Sequence, residues 1–490
     1  VNKPIRTISI FCLVLFLALM ANATYLQYFR SEALNDRAEN QRVFDAAFSR
    51  ERGSIIVGRD AIAESVPVDD QYEFQRTYNA PFKYAPLTGF FAYAYGASQL
   101  ERTQNDVLSG EDDRLFVTRL VDLLSNKGTQ GGNIRLTIDP AAQDAAAEAL
   151  SNVPGDVEGS VVALEPKTGK ILAMVTAPSY DPNKLASHDK ASVDRAWKQL
   201  TTDDSEPMLN RGTQKTLPPG STFKLVTAAA AIEDGLAESA DDQVPGGTEY
   251  QLPQTSGDTG LIDNEGRSCG TDTIPFTQAL GNSCNTTFAQ LAVQVGGDKL
   301  REQAEAFGFN QDYLEDLRPQ AKSVFPDGAN EPQTGQAGIG QYEVRATPLQ
   351  MAMVAAGIAN NGVVMRPYVV DEVQSADLDV VETTQPEEFS RAVKSSTAKV
   401  LTDLMTYTVN DGTASPAAIP GVQVAGKTGT AQSGQDDVSP YAWFVSFAPA
   451  DDPEVAVAVM IEKADIPRGE IGGGVIGGPI AKAVMEAVIK

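Results

Sequence analysis

Ser221 and Lys224 lie in Leu217-Pro-Pro-Gly-Ser-Thr-Phe-Lys224, directly before the Ala-rich run Leu225 to Glu233, which Asp234-Gly235 ends. The Pro-Pro-Gly stops whatever precedes it, and the following run reads as a helix with Ser221 in its first turn. Three residues apart, the hydroxyl and the amine share one helix face. A serine hydroxyl ionises far above neutrality and needs a neighbouring base. A lysine one turn away can be that base when burial or nearby cations lower its pKa. The helix N-terminus adds backbone N–H groups directed at an anion. Gly281-Asn-Ser-Cys-Asn-Thr286 supplies a second hydroxyl, Ser283, and an amide, Asn285, in a predicted loop. Such a serine can pass a proton, and such an amide can hold a peptide. Val424-Ala-Gly-Lys-Thr-Gly-Thr-Ala-Gln432 reads as a strand. Gly429 would let a ligand backbone approach its edge. Lys427 offers a cation and Thr428 and Thr430 offer hydroxyls, a set that suits a carboxylate. Singly, each motif is ordinary: a Ser cap with an exposed Lys, an Asx turn, an edge strand guarded by Lys. The specificity lies in all three, in this order.

Composition narrows the chemistry further. The 490 residues carry 39 Lys+Arg against 65 Asp+Glu, a net charge of −26. That argues against a nucleic-acid partner, which needs basic patches. A single histidine, His188, is present. A multi-His zinc site is therefore impossible, and three scattered cysteines cannot build Cys₄. Acid–base work falls on Lys, Asp, Glu or Tyr, and His188, in Leu185-Ala-Ser-His-Asp-Lys190, is expected at the surface.

The elements that must position these groups begin with an anchor. Between Arg6 and Arg30 lie 23 uncharged residues, nearly all apolar from Ile8 to Ala21, with Tyr25, Tyr28 and Phe29 at the far end. This is just long enough to span a bilayer. Lys3 and Arg6 keep the N-terminus in the cytoplasm and place the rest outside. A cleaved signal peptide ending at Ala21-Asn-Ala23 is the alternative. The expected organisation is a cytoplasmic tip and anchor over 1–30, a small mixed domain over 31–133, and a large domain over 134–490. Ser31 to Glu51 reads as a charged helix, and Asn126 to Asn133 as a breaker cluster. A strand Ile134–Ile138, a helix Pro140–Asn152 capped by Asp139, and a hairpin of Ser160–Leu164 with Ile171–Val175 follow. Three more strands, Val422–Thr430, Ala442–Ala448 and Val455–Ile461, precede a last helix, Ile480–Ile489. Strands at both ends with helices between predict an α/β fold of the α+β type. Its central antiparallel sheet draws on both ends of the large domain and is flanked by helices. Cys269 and Cys284 form an exported even pair, read either as a disulfide or as two buried thiols.

S-x-x-K, S-x-N and K-T-G together resemble the penicillin-binding proteins and serine β-lactamases. The chain resembles class B penicillin-binding proteins, and among them the actinobacterial A group. Arg52-Gly-Ser-Ile55 resembles that class's N-terminal Arg-Gly motif, and Leu136-Thr-Ile-Asp139 the start of its transpeptidase domain. Ala337-Gly-Ile-Gly-Gln341 and Thr347-Pro-Leu-Gln-Met-Ala352 resemble later stretches, the helix ending at Asn360-Asn-Gly362. Tyr342 departs, since many relatives carry Gly there. The resemblance implies a β-lactamase-like transpeptidase fold and cross-linking of peptidoglycan stems ending in D-Ala-D-Ala. It implies Ser221 as nucleophile, Lys224 as base, Ser283 as proton relay and Asn285 as holder of the donor amide. Lys427, Thr428 and Thr430 would bind the terminal carboxylate of the donor or of a β-lactam. Backbone N–H groups of Ser221 and Thr430 would form the oxyanion hole. The chemistry that this resemblance implies needs neither a metal nor an organic cofactor. Some 105 residues between anchor and boundary are too few for a glycosyltransferase domain. The small domain reads as a pedestal for partners, a glycosyltransferase or division or elongation proteins. A D,D-carboxypeptidase, or a β-lactam-binding sensor or scaffold, uses the same residues and stays open.

Overall fold

The computed structural model describes residues 2–26, 30, 48–116, 130–432, 439–467 and 471–489. The expected helix Ser31 to Glu51 falls largely outside them. Asn2–Thr24 forms one helix. Its Lys3–Thr24 stretch has mean hydropathy 2.2, none of it buried, and is long and apolar enough to cross a membrane.

Five strands make the central sheet in the order Ala425–Ala431, Tyr441–Ala448, Val455–Lys463, Glu158–Leu164, Ile171–Ala177, every neighbour antiparallel. The first three come from the end of the chain and the last two from 300 residues earlier, as the sequence pattern predicted. The strands are buried along nearly their whole length, because both faces are covered. On one face lies Pro348–Ala359, a helix in which all twelve residues are buried. Thr347 caps it, its hydroxyl accepting from Gln350 N at 3.1 Å. On the other face Gly478–Val488 packs with Pro140–Ser151. Asp139 caps the latter by accepting from the amides of Ala141 and Ala142.

A second sheet of six strands has Val380–Thr383, Val370–Gln374, Asn133–Leu136, Ile55–Val57, Asp60–Pro67 and Phe74–Tyr78 in that order. The strand expected at Ile134–Ile138 is therefore not part of the central sheet. It pairs in parallel with Ile55–Val57 and antiparallel with Val370–Gln374. Strands from both sides of position 133 thus share one hydrogen-bonded ladder. Next to this sheet, Arg52 and Arg76 both clasp Glu101, at 2.7 and 2.6 Å, and all three are buried. Tyr78 adds its hydroxyl to Glu101 at 3.2 Å. A buried carboxylate needs its lone pairs filled, and here two guanidinium groups do so.

His188 corrects an expectation. Its side chain is only 12% exposed, with Nδ1 2.5 Å from Asp70 Oδ2. The rings of Phe48 and Tyr72 pack edge-on against it. A short polar loop suggested solvent, but these aromatic side chains, over a hundred residues earlier in the chain, cover the ring.

Candidate active site

Ser221 stands on a single 3₁₀ turn, Gly220–Thr222, and the α-helix begins at Lys224. The helix predicted around the serine therefore starts a turn later. Gly220 has φ +53°, which helical backbone cannot continue through. Thr222 donates its hydroxyl to Pro219 O at 2.8 Å, and Gly220 N donates to Gly340 O at 3.0 Å. On the other side the turn rests on Gly429. A Cβ there would come within 2.9 Å of Pro219 O and of Thr222 Cγ2. The glycine of the third motif thus makes room for the serine's own turn. Ser221 is 8% exposed.

Two lysines lie beside it with no solvent exposure. Lys224 Nζ donates to Asn285 Oδ1 at 2.7 Å, to Ser283 O at 2.8 Å and to Ser283 Oγ at 3.3 Å. Lys427 Nζ donates to Ser283 Oγ at 2.9 Å and to Thr428 O at 2.8 Å. Both cations reach one oxygen, so they stand within about 6 Å, where like charges disfavour each other. Burial pushes the pKa of each well below the ordinary lysine value. Lys427 and then Arg267 push Lys224 further down, and Arg267 does the same to Lys427. A neutral amine has two N–H groups and a lone pair. The two short bonds of Lys224 need two N–H groups, which a neutral amine also supplies.

Ser283 holds this junction at φ +57°, a conformation that non-glycine residues avoid. The predicted loop ends at Cys284, because Asn285 already opens the helix Asn285–Val295. Cys284 is joined to Cys269 by a disulfide. Asn285 Nδ2 donates to Asp263 O at 3.0 Å, which fixes the amide and leaves one N–H free. Alternation along Ala425–Ala431 puts Thr428 and Thr430 on one face and Lys427 on the other. Lys427 is therefore drawn to Lys224 through Ser283, and the two threonines form a separate hydroxyl face.

Three participants escaped the sequence reading. Thr413 Oγ1 lies 2.8 Å from Thr428 Oγ1, and Thr413 N donates to Gly281 O at 3.1 Å, tying the second motif to the third. Asn264 accepts from Thr286 N at 3.0 Å. Gly340 backs the serine's turn. Asp411-Gly412 signals a turn before Thr413, but no local pattern reveals partners 15 residues or more away. Among the described residues, no group of His, Cys, Asp or Glu is placed to hold a metal ion.

Residues 159–486 match the family model described as Penicillin binding protein transpeptidase domain. The chain belongs to this family. Residues 52–134 match a second model, Penicillin binding protein A dimerisation domain. "Peptidoglycan D,D-transpeptidase PbpA" of Mycolicibacterium smegmatis is 42% identical over 494 residues, covering 100% of this chain and 99% of that protein. The protein of the same name from Mycobacterium tuberculosis is 41% identical, with the same coverage. The ceftriaxone acyl-enzyme complex of penicillin-binding protein A from M. tuberculosis superposes with TM-score 0.85 at 39% identity, over 91% of this chain and 100% of that one. Its penicillin G acyl-enzyme complex gives 0.83 at 41% identity, over 90% and 100%. In this penicillin-binding protein Tyr342 has φ +58°, in the left-handed region that favours glycine. Arg345 donates to its carbonyl at 2.9 Å, which helps hold that backbone.

Proposed function

We propose that this chain is a peptidoglycan D,D-transpeptidase working through an acyl-enzyme on Ser221, and that β-lactams acylate the same oxygen. One observation carries the reading: two fully buried lysines converge on Ser283 Oγ beside a serine on a tight turn. Burial lowers the pKa of Lys224 and so favours its neutral amine. It takes the Ser221 proton as Oγ attacks the penultimate D-Ala carbonyl. Backbone N–H groups of Ser221 and Thr430 receive the developing oxyanion. One such donor is worth about 10²–10³ in rate in a known hydrolase. The C–N bond then breaks, and Ser283, between the two lysines, passes the proton to the departing D-Ala amine. An amine of a neighbouring stem attacks the ester, Ser221 leaves, and its oxygen recovers a proton. Asn285 holds the donor backbone with its free N–H. Lys427, Thr428 and Thr430 set the field and hydroxyls for the terminal carboxylate.

The same reading assigns 1–30 to a single-pass anchor with its tip in the cytoplasm and the catalytic unit, 134–490, outside. The segment 31–133 is assigned to partner docking, with a glycosyltransferase, division or elongation proteins, or a second copy as partners. Support comes from the apolar helix behind Lys3 and Arg6, from the shared sheet, and from the dimerisation model. Labelling with a fluorescent penicillin and mapping by mass spectrometry tests the mechanism. The label is expected on Ser221, and label elsewhere, or none, overturns it. Incubation with a stem-peptide donor and an amine acceptor then separates cross-linked product from simple loss of D-Ala, the carboxypeptidase outcome.

A further inference from the structure

Beside Asn285 the chain lays a short turn, Asn264-Glu265-Gly266-Arg267, fixed from four directions. Asn285 Nδ2 donates to Asp263 O at 3.0 Å, and Thr286 N to Asn264 Oδ1 at 3.0 Å. Asn282 Nδ2 donates to Ser268 O at 2.8 Å, and Cys269 is bonded to Cys284. Arg267 N closes the turn on Asn264 O at 3.0 Å, and its Nε donates to the same carbonyl at 2.7 Å. Its Nη2 pairs with Glu265 at 3.0 Å, the side chains being 27% and 58% exposed. A cation and an anion therefore ride together, close in the chain to Asp263, whose carbonyl orients Asn285. Both act on the buried centre: Arg267 lowers the pKa of both lysines, and Glu265 opposes it at Lys224. An ion pair this exposed contributes little to stability. The four ties hold this pair in place beside Asn285.

In the proposed reaction, on which this inference rests, the free N–H of Asn285 takes the carbonyl of the residue before the terminal dipeptide. That residue is the third of the stem, and its side chain begins one bond from that carbonyl, alongside the turn. We propose that Glu265 and Arg267 read the end of the donor's third side chain, and that the end they fit is zwitterionic. Its carboxylate would lie on Arg267 and its ammonium on Glu265, as on a diamino-dicarboxylic third residue. A lysine-type end brings one ammonium against both an anion and a cation. A neutral end finds no partner for either.

The test uses the full chain in detergent with acyl-D-Ala-D-Ala donors that differ only in the third residue: diamino-dicarboxylic, lysine or norleucine. Release of D-Ala gives kcat/KM for each. The unsubstituted protein is expected to prefer the zwitterionic donor over norleucine by about tenfold or more, one charge-assisted hydrogen bond or better. Arg267→Gln is expected to reduce the ratio of zwitterionic to lysine donor about tenfold, and Glu265→Gln the ratio of lysine to norleucine. Ratios near one in the unsubstituted protein, or unchanged in both variants, overturn the proposal. So does an equal loss on all three donors with a displaced pH profile, since Arg267 would then act through the lysines alone. If Arg267→Gln does not fold, the more exposed Glu265 carries the test. Acylation of Ser221 by penicillin with flat donor ratios sinks this inference alone, whereas absence of that acylation sinks the mechanism beneath it.

Discussion

Replacing Ser283 isolates the junction of the two lysines. Its Oγ accepts from Lys427 at 2.9 Å and from Lys224 at 3.3 Å, and the residue is 2% exposed. Ser283→Ala leaves Lys427 with Thr428 O as its remaining acceptor among the described residues and breaks the link between the amines. The 2.9 Å bond is the full one, and the 3.3 Å contact lies beyond the usual N–H···O range. A hydrogen bond to a charged group contributes about 1.5–3 kcal/mol. At 1.36 kcal/mol per decade this is about a 10- to 100-fold loss in acylation rate. The backbone offers an internal control. At φ +57° alanine keeps the strain and glycine relieves about 1–2 kcal/mol of it. Ser283→Ala and Ser283→Gly should therefore differ in melting temperature and agree in acylation rate within about threefold, about 0.7 kcal/mol. Stopped-flow acylation by a chromogenic cephalosporin, with thermal unfolding of each variant, makes the comparison. If Ser283→Gly acylates as fast as the unsubstituted protein, the loop conformation matters and the hydroxyl does not, and the relay argument fails.

Other outcomes follow from the same geometry. Protonated Lys224 cannot accept the serine proton, so the acylation rate should fall as pH drops through its lowered pKa. As pH rises the rate should reach its plateau before the range of an ordinary lysine, near ~10.4; a rate still climbing there would refute a buried base of lowered pKa. Gly340→Ala puts a Cβ 2.1 Å from Gly220 O at φ +73°, whereas Gly235→Ala meets nothing within 4 Å at φ +78°. Penicillin labelling should fall more than tenfold in the first, about 1.4 kcal/mol or more, and stay within twofold in the second. The Cys269–Cys284 bridge closes a span of 15 residues, for which the chain-entropy account gives about 3 kcal/mol. Reduction should lower the melting temperature, and the unfolded, unreduced protein should expose Cys12 alone to a thiol reagent; two further labelled thiols would contradict the bridge.

The sequence by itself determined what depends on local pattern. Apolar length marked the span-length helix, and Asp139-Pro140 and the turn between Leu164 and Ile171 marked the boundaries of helix and strand. The order of three short motifs, with one histidine in 490 residues, was enough for the chemistry. Tertiary structure decided what depends on distant partners. Asn133–Leu136 looked like any buried strand, and only its neighbours placed it in the second sheet. His188 looked solvated until Phe48 and Tyr72, distant in the chain, covered it. Above all, the lysines act as a buried pair because Ser283, 59 and 144 residues from them in the chain, is folded between them. A pKa is set by what surrounds a group in space, and spacing along the chain does not record that.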